Sequence, residues 1–330
     1  MKKQILHIAI VLLAAVFNAQ AQQDPMFTKY MFNPMNYNPA YAGSAGAMDM
    51  TLLHRQQWWG IKGAPMTQNF NIHSPINDKN IGLGLNMSLD QIATSRQFNA
   101  YASFAYRIPF NKGKGHVALG MQGGVTNWAA DWRDLELVNP NDPAFQNLQP
   151  NLWLPNFGTG IYVHTETWYV GLSAPMLLTN KLRPDDPTVP VAQQYRHYYF
   201  STGAAIPLGS KDLVFRPSVL IKNVGLFVEK NKLNNVGAPT EFDVDLALMF
   251  NQMFWVGASF RSAFEVIGNT SSYDSVDFWV SLRLKNGMRI GLAYDYTLTE
   301  LQGPAQGTYE VMLGYDMIRY KSNVRHVRYF

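Results

Sequence analysis

From residue 49 onward, apolar and polar side chains alternate in stretches of about ten residues that are separated by turn-forming residues. The last stretch shows the pattern most clearly, because Tyr309, Val311 and Leu313 alternate with the polar Thr308 and Glu310. Successive side chains of a β-strand point to opposite faces of the sheet, so each stretch predicts a strand with one apolar and one polar face. Tyrosines near both ends of an apolar face are typical of the aromatic belts at two membrane interfaces.

Fourteen stretches of this kind can be counted, and an even count is what single-chain bacterial barrels have. The candidates are 49–57, 67–74, 80–91, 95–110, 116–131, 152–165, 167–173, 194–206, 213–223, 241–250, 253–260, 275–284, 289–296 and 307–317. The sequence therefore predicts an all-β fold, a transmembrane antiparallel β-barrel of about 14 strands.

The connections between these stretches test the count. Every second connection is short and rich in Asn, Gly and Asp, as at Asn251-Gln252, whereas the others are mostly long, as at 132–151 and 174–193. Ile92-Ala93-Thr94 is the short exception. Outer-membrane barrels have short periplasmic turns and long outer loops, so both ends of the barrel are expected on the periplasmic side.

A pair of soluble β-sandwiches would also give regularly spaced strands. Composition argues against that alternative, because only 15% of the residues are charged although 47% are hydrophobic and 13% aromatic. The polar strand faces carry Gly, Ala, Ser, Asn and Asp where a soluble sheet would carry abundant Lys, Glu and Arg.

The chain has no cysteine, which excludes disulfides, thiolate nucleophiles and cysteine-ligated metals.

The N-terminus has the three parts of a secretory signal peptide. Lys2 and Lys3 precede an apolar run at 5–17, and Ala19-Gln20-Ala21 fits a cleavage site. The run is too short for a membrane-spanning helix. Without Lys2 and Lys3 the chain carries 25 basic and 23 acidic residues, which gives no reason to expect a nucleic-acid partner.

The predicted organisation is a signal peptide at 1–21, an N-terminal segment at 22–48, the barrel at 49–317 and a periplasmic tail at 318–330. The segment 22–48 does not alternate, and it contains three X-Pro steps among large aromatic residues. Two interpretations stay open for it: an irregular plug or periplasmic docking segment, and a lead-in that packs in the lumen for stability.

Two motifs, at 23–44 and 55–68, resemble the opening of the PorP/SprF family of type IX secretion outer-membrane proteins of Bacteroidota. The residues that carry the resemblance, and that we take as candidate plug or partner residues, are Gln23, Asp24, Pro25, Phe27, Tyr30, Met31, Asn33, Asn38, Pro39, Ala40, Tyr41, Ala42, Gly43, Arg55, Gln57, Trp58, Gly60, Pro65, Thr67 and Gln68. Thr28-Lys29 and Pro34-Met35 depart from the family pattern, which leaves the subfamily open.

The resemblance implies a role without catalysis. Members of the family lie in the outer membrane and help to export large gliding-type adhesins or to retain them at the cell surface. The implied partners are outer-membrane lipid, periplasmic secretion-ring or motor components and the adhesin cargo. A passive porin or small-solute transporter is the alternative, and it requires an open aqueous lumen.

Catalytic, metal and cofactor sites find little support in the residues. His73 and Ser74 are the one tempting pair for hydrolysis, but consecutive strand residues point to opposite faces, so we expect His73 in the lumen beside Asn69 and Asn71. No histidine pair has chelating spacing. The loop acids lack the calcium-loop pattern; they are Asp131, Asp134, Asp142, Asp185 and Asp186.

Two further features have open interpretations. The glycines at 82, 84 and 120–124 are expected to leave space in the lumen or to let strands bend rather than to bind a nucleotide. Trp58-Trp59 is either part of an interfacial aromatic belt or a partner contact.

Overall fold

A computed structural model describes residues 29–76, 80–133, 150–182, 194–224, 240–263, 273–299 and 303–317. Most of these residues belong to one antiparallel sheet. Its strands are β1 Asp49–Gln56, β2 Met66–Ile76, β3 Ile81–Ile92, β4 Ser95–Phe110, β5 Gly115–Ala130, β6 Asn151–Thr165, β7 Trp168–Ala174, β8 His197–Ala204, β9 Ile206–Leu208, β10 Ser210–Val224, β11 Glu241–Phe250, β12 Phe254–Ala263, β13 Tyr273–Arg283, β14 Met288–Thr297 and β15 Thr308–Asp316. Single 3-10 turns lie at Tyr30–Phe32, Pro34–Asn36, Pro39–Tyr41 and Asn111–Gly113.

The sheet closes on itself. Strand β15 pairs with β1 along its length, from Asp316 opposite Asp49 to Tyr309 opposite Gln56. β8 and β9 both lie against β10, so they form one barrel strand that is interrupted at Ala205. The described residues thus form a closed barrel of fourteen antiparallel strands, which confirms the predicted fold class and leaves no edge strand unpaired. The predicted strand 194–206 differs, since it is shorter and broken.

Burial alternates along the strands with a period of two. On β15, Val311 is 41% exposed and Leu313 is 48% exposed, whereas Glu310, which directly precedes Val311, is 1% exposed. The exposed positions are apolar, and the buried ones are largely polar or small. This is the reverse of a soluble sheet protein, which buries its apolar face. In a membrane barrel the apolar face meets lipid and the polar face lines the lumen.

The two ends of the barrel differ in their connections. At the end that we call the short-turn end, strands are joined through 77–80, 111–114, 166–167, 209, 251–253 and 284–287. Asn251 and Gln252 both have positive φ, of 51° and 58°, as tight hairpins require. The opposite, long-loop end has the longer connections except Ala93-Thr94, as the sequence predicts.

Several predicted segments lie outside the described residues. They are the signal peptide 1–21, the part 22–28 of the N-terminal segment, the tail 318–330 and the loop acids Asp134, Asp142, Asp185 and Asp186. None of the helical turns in the described ranges is long and apolar enough to cross a membrane.

Candidate functional site inside the barrel

Residues 29–45, which we call the luminal segment, lie inside the barrel. Ala40 and Ala42 are fully buried, and Met35 is 1% exposed. Pro34 and Pro39 each begin a 3-10 turn, where the fixed φ of proline favours the turn and its missing N–H is not needed. The side chain of Asn38 caps the second of these turns by accepting a hydrogen bond from Ala40 N at 3.0 Å. The sequence of Asn-Pro steps therefore determines an ordered, compact segment.

Hydrogen bonds tie the luminal segment to strands on different sides of the barrel. The Tyr30 hydroxyl lies 3.0 Å from Ser218 Oγ on β10. Ser173 Oγ on β7 donates to Tyr37 O at 2.6 Å. Asn38 Nδ2 donates to Ile161 O on β6 at 3.0 Å. Because these strands lie well apart around the ring from β2 and β15, which the segment also contacts, the segment crosses the lumen rather than following one wall.

Five asparagines form the densest polar contact between the segment and the wall. Asn33 Nδ2 donates to Asn69 Oδ1 at 2.7 Å, and Asn33 Oδ1 accepts from Asn71 Nδ2 at 2.5 Å. Asn36 Oδ1 accepts from both Asn69 Nδ2 and Asn86 Nδ2 at 3.0 Å. An amide both donates and accepts, so such residues can satisfy one another where no charge is present.

Glycines on the strands let the backbone of the segment approach closely. A Cβ atom on Gly120 would collide with backbone atoms of Ala40, and one on Gly82 would collide with the carbonyl of Ala42. Gly43 has a φ of +73°, and a Cβ there would lie 2.7 Å from Gly82 Cα. These glycines leave luminal space, as expected, and the segment occupies that space. With the asparagines they form the amide–glycine wall, on β2, β3, β5 and β6: Asn69, Asn71, Gly82, Gly84, Asn86, Gly120 and Gly160.

An aromatic cluster contacts the segment on the opposite side. The ring of Phe32 meets Trp255 and Trp279 edge-on, with ring centroids 5.6 Å and 5.2 Å apart. Trp279 Nε1 donates to Asp245 Oδ2 at 2.7 Å. Trp279 is the large residue that interrupts the polar face of β13 in the sequence, and its contact with Phe32 explains that interruption.

The strands around this cluster carry buried ion pairs. Arg55 on β1 pairs with Asp295 at 2.6 Å and with Glu310 at 3.3 Å, and Arg261 pairs with Asp243 at 2.7 Å. With their neighbours these residues form the charged wall, on β1 and β10 to β15: Asp49, Arg55, Lys222, Asp243, Asp245, Arg261, Asp277, Arg289, Asp295, Glu310 and Asp316.

Glu310 joins the two sequence motifs. One of its carboxylate oxygens accepts from Arg55 Nη1, and the other accepts from the backbone N–H of Lys29 at 3.1 Å. The Lys29 ammonium has no hydrogen-bond partner among the described residues. Burial lowers the pKa of Lys29 to about 8, although the nearby carboxylates of Glu310 and Asp295 raise it in part.

The first motif is therefore luminal as far as the structure describes it. Tyr30, Met31, Asn33 and Asn38–Gly43 are buried in the lumen. Gly43 N donates to His73 Nδ1 at 3.2 Å, and Arg107 on β4 donates to Gly43 O. Gln23, Asp24, Pro25 and Phe27 lie outside the described residues.

The second motif is divided among three places. Arg55 and Thr67 face the lumen, and Thr67 Oγ1 donates to Asp90 at 2.5 Å. Gln57, Trp58, Gly60 and Pro65 lie in the β1–β2 connection at the long-loop end, where Gln57 N donates to Pro65 O at 2.9 Å. Gln68 is exposed on the outer face of β2. The motif thus does not form one site.

Trp59 packs on the outer surface. Its ring meets lipid-facing Tyr309 edge-on at 5.9 Å, and Tyr309 in turn contacts Tyr294 at 5.2 Å. This arrangement favours the interfacial belt over a partner contact for Trp59.

The luminal polar groups serve packing in this structure. His73 is buried beside the segment, as predicted, while Ser74 points the other way and is only half-buried. Among the described residues no three histidines or carboxylates are grouped so that they could hold a metal ion. The sequence did not predict the roles of four luminal residues that make contacts across large sequence distances. Glu310, Arg107 and Ser173 contact the segment, and Asp295 pairs with Arg55.

Fold and interior together define a membrane β-barrel whose lumen contains its own N-terminal segment. Residues 19–315 match the family described as type IX secretion system membrane protein PorP/SprF. The chain belongs to the PorP/SprF family, which confirms the resemblance and makes the protein an outer-membrane component of that secretion system.

The chain also shows similarity to solved structures, with TM-scores below 0.5. The outer membrane protein Omp33 of Acinetobacter baumannii is 8% identical, with a TM-score of 0.44 over 82% of this chain and 97% of its own. A FadL homologue of Pseudomonas aeruginosa is 10% identical, with a TM-score of 0.45 over 91% of this chain and 96% of its own. No curated protein matches the chain.

Proposed function

We propose that this barrel supports the export or surface anchoring of large adhesin-type cargo, and that its luminal segment is a plug that keeps the lumen closed. The observation that carries the proposal is the burial of residues 29–45 inside the barrel, with hydrogen bonds to strands on different sides of the lumen. A porin needs the opposite arrangement, an open aqueous channel.

The two ends suit different partners in this proposal. The short-turn end faces the periplasm and meets ring or motor components, while the long-loop end faces the cell exterior and meets the cargo. Family membership supports this assignment, and the short and long connections support the orientation.

A gene deletion with complementation tests the cargo role. Whole cells of the deletion strain should lose surface-exposed adhesin, measured by protease shaving and immunolabelling, and gliding should stop. Complementation with the intact gene should restore both. Normal surface display and gliding in the deletion strain, together with slower uptake of small solutes, would contradict the proposal and favour the passive transporter.

Liposome swelling tests the plug separately. Vesicles that contain the purified chain should swell in arabinose no faster than empty vesicles, because the luminal segment blocks the path. A known open porin reconstituted at the same density serves as the positive control. Fast sugar flux through the wild-type chain would contradict a closed lumen even if the cargo role stands.

A further inference from the structure

A cavity lies between the luminal segment and the long-loop end of the barrel. Its volume is about 90 Å³, and it opens to the solvent at one side. Tyr30, Asn36 and Tyr37 of the segment line one side of it. The other lining residues, apart from Pro175 and Met176, belong to strands on different sides of the barrel. Lys222 and Glu241 are among them, and they lie near the long-loop ends of β10 and β11.

Aromatic rings and side-chain amides dominate the lining. The four tyrosines are Tyr30, Tyr37, Tyr101 and Tyr199, and the four amides are Asn36, Asn86, Asn99 and Gln122. The ring centroids of Tyr37 and Tyr199 are 5.7 Å apart with a tilt of 32°, so they form a continuous aromatic surface. Many ligand sites combine such aromatic surface with a few fixed polar groups.

The polar groups of the lining are held in place by the barrel. The Tyr101 hydroxyl lies 2.9 Å from Thr126 Oγ1, and Asn99 Nδ2 donates to Ser88 Oγ at 3.0 Å. Gln122 Nε2 donates to Pro175 O at 2.9 Å. Groups with fixed orientation recognise a ligand at a lower entropic cost than mobile ones.

Charge narrows the class of ligand. The charged lining residues are Lys222, Glu241 and Asp243. Lys222 Nζ lies 3.5 Å from Glu241 Oε2, and Asp243 pairs with Arg261 at 2.7 Å, so the charges at the lining are already balanced and favour a neutral ligand. A purely apolar ligand would bury the amides without hydrogen bonds, which is costly.

We propose that this cavity binds a neutral saccharide. A sugar ring presents C–H faces that pack against tyrosine rings, and its hydroxyls both donate and accept, as the side-chain amides do. The carboxylate of Glu241 at the edge supplies a strong acceptor for a further hydroxyl. This binding site goes beyond the proposed secretion role and does not depend on it.

Calorimetric titration of the purified full-length chain tests the proposal, in a zwitterionic detergent because glucoside and maltoside detergents are themselves saccharides. The probes are maltotriose, mannotriose and chitotriose, with trigalacturonate as the anionic control and trialanine as the peptide control. At least one neutral trisaccharide should bind saturably with a Kd below about 10 mM, more tightly than either control.

Matched variants assign any binding to the cavity. Tyr199→Ala should weaken binding by about tenfold, because it removes an aromatic face. Tyr198→Ala removes the same side chain from the opposite face of the same strand and should leave the affinity unchanged. Ser88→Trp fills the cavity without removing a ring, so it keeps the test valid if Tyr199→Ala fails to fold.

Three results would overturn the proposal. They are no binding of any of the three neutral trisaccharides, equal affinity in wild type and Ser88→Trp, and binding of trialanine in place of the saccharides. The last result would assign the cavity to a peptide.

Discussion

The two walls of the lumen contact the same segment in different ways. On the amide–glycine wall the segment approaches with its own backbone, as at Ala40 over Gly120. On the charged wall it approaches mainly with side chains, such as the Phe32 ring against Trp279. A backbone can lie against a strand only where the strand has no side chain, whereas ion pairs between strands occupy the space that a second backbone would need.

The difference separates barrel stability from plug position. The ion pairs of the charged wall join strands to one another, as Arg55 joins β1 to β14 and β15. The glycines join nothing by themselves, but they shape the surface that receives the segment. Substitutions on the charged wall should therefore weaken the barrel, and substitutions at the glycines should displace the segment while the barrel remains.

The largest effect is expected from Arg55→Ala. The substitution leaves the buried carboxylates of Asp295 and Glu310 without their cation, which costs about 3–5 kcal/mol when one partner of a buried pair is removed. Urea unfolding in lipid vesicles, followed by tryptophan fluorescence, measures the loss in the free energy of unfolding.

Arg133→Ala is the matched control for Arg55→Ala. Arg133 pairs with Asp131 at 2.6 Å, but the two side chains are 59% and 45% exposed. An exposed pair contributes about 0–1 kcal/mol, so the control should unfold almost as the wild type does. Equal destabilisation by both variants would mean that the luminal ion pairs do not differ from surface pairs.

An intermediate effect is expected from Gly120→Ala. The new methyl group would meet the backbone of Ala40, so the segment must shift, at a cost of about 1–3 kcal/mol typical of overpacking. Limited proteolysis should cut the segment faster than in wild type, and planar-bilayer recordings should show new conductance. The heat-modifiable gel mobility of the folded barrel should persist.

Gly123→Ala controls for the loss of a glycine from β5. A Cβ atom at Gly123 has no heavy atom within 4 Å, and the residue lies on the same strand as Gly120 but on its outer face. This variant should show neither faster cleavage nor conductance. If both variants open the barrel, strand flexibility rather than close contact is the role of these glycines.

Sequence reasoning succeeded where a local pattern determines the structure. The period-two alternation predicted all fourteen strands. It could not predict that Phe32 meets Trp279, because that contact depends on the register in which distant strands close the barrel. For the same reason the sequence did not predict the role of Glu310. This residue lies 255 residues from Arg55 in the chain, but it is opposite Arg55 on the neighbouring strand.

The break in the eighth barrel strand escaped prediction for a related reason. The sequence through Ala204-Ala205-Ile206 keeps an acceptable strand pattern. In the structure Ala205 N donates to Thr167 O at 2.7 Å, and β9 pairs with β10 in a shifted register. The interruption thus follows from contacts between neighbouring strands, which one strand's own sequence does not contain.

A third effect concerns the pH dependence of stability and comes from Lys29, which lies beside the charged wall without a hydrogen bond from its ammonium in the described part of the chain. Burial lowers its folded-state pKa to about 8 from an ordinary value of 10.5. Between these values the unfolded chain binds more protons than the folded chain, so the free energy of unfolding should rise with pH, by at most about 1.4 kcal/mol per pH unit. Below about 8 both states are protonated and the penalty is constant.

The comparison of wild type with Lys29→Met separates the contribution of Lys29 to the free energy of unfolding from the contributions of other titrating groups. The variant should be the more stable protein near neutral pH, and its advantage in the urea midpoint should shrink as the pH rises from about 8 to about 10.5. Lys62→Met, at an exposed lysine of the β1–β2 connection, is the control for the replacement of a lysine by methionine. If the wild type instead loses stability relative to Lys29→Met as the pH rises, the ammonium gains more from Glu310 than it loses by burial. The charged wall would then hold the segment by charge as well as by side-chain packing, and the contrast between the two walls would be sharper than their contacts alone indicate.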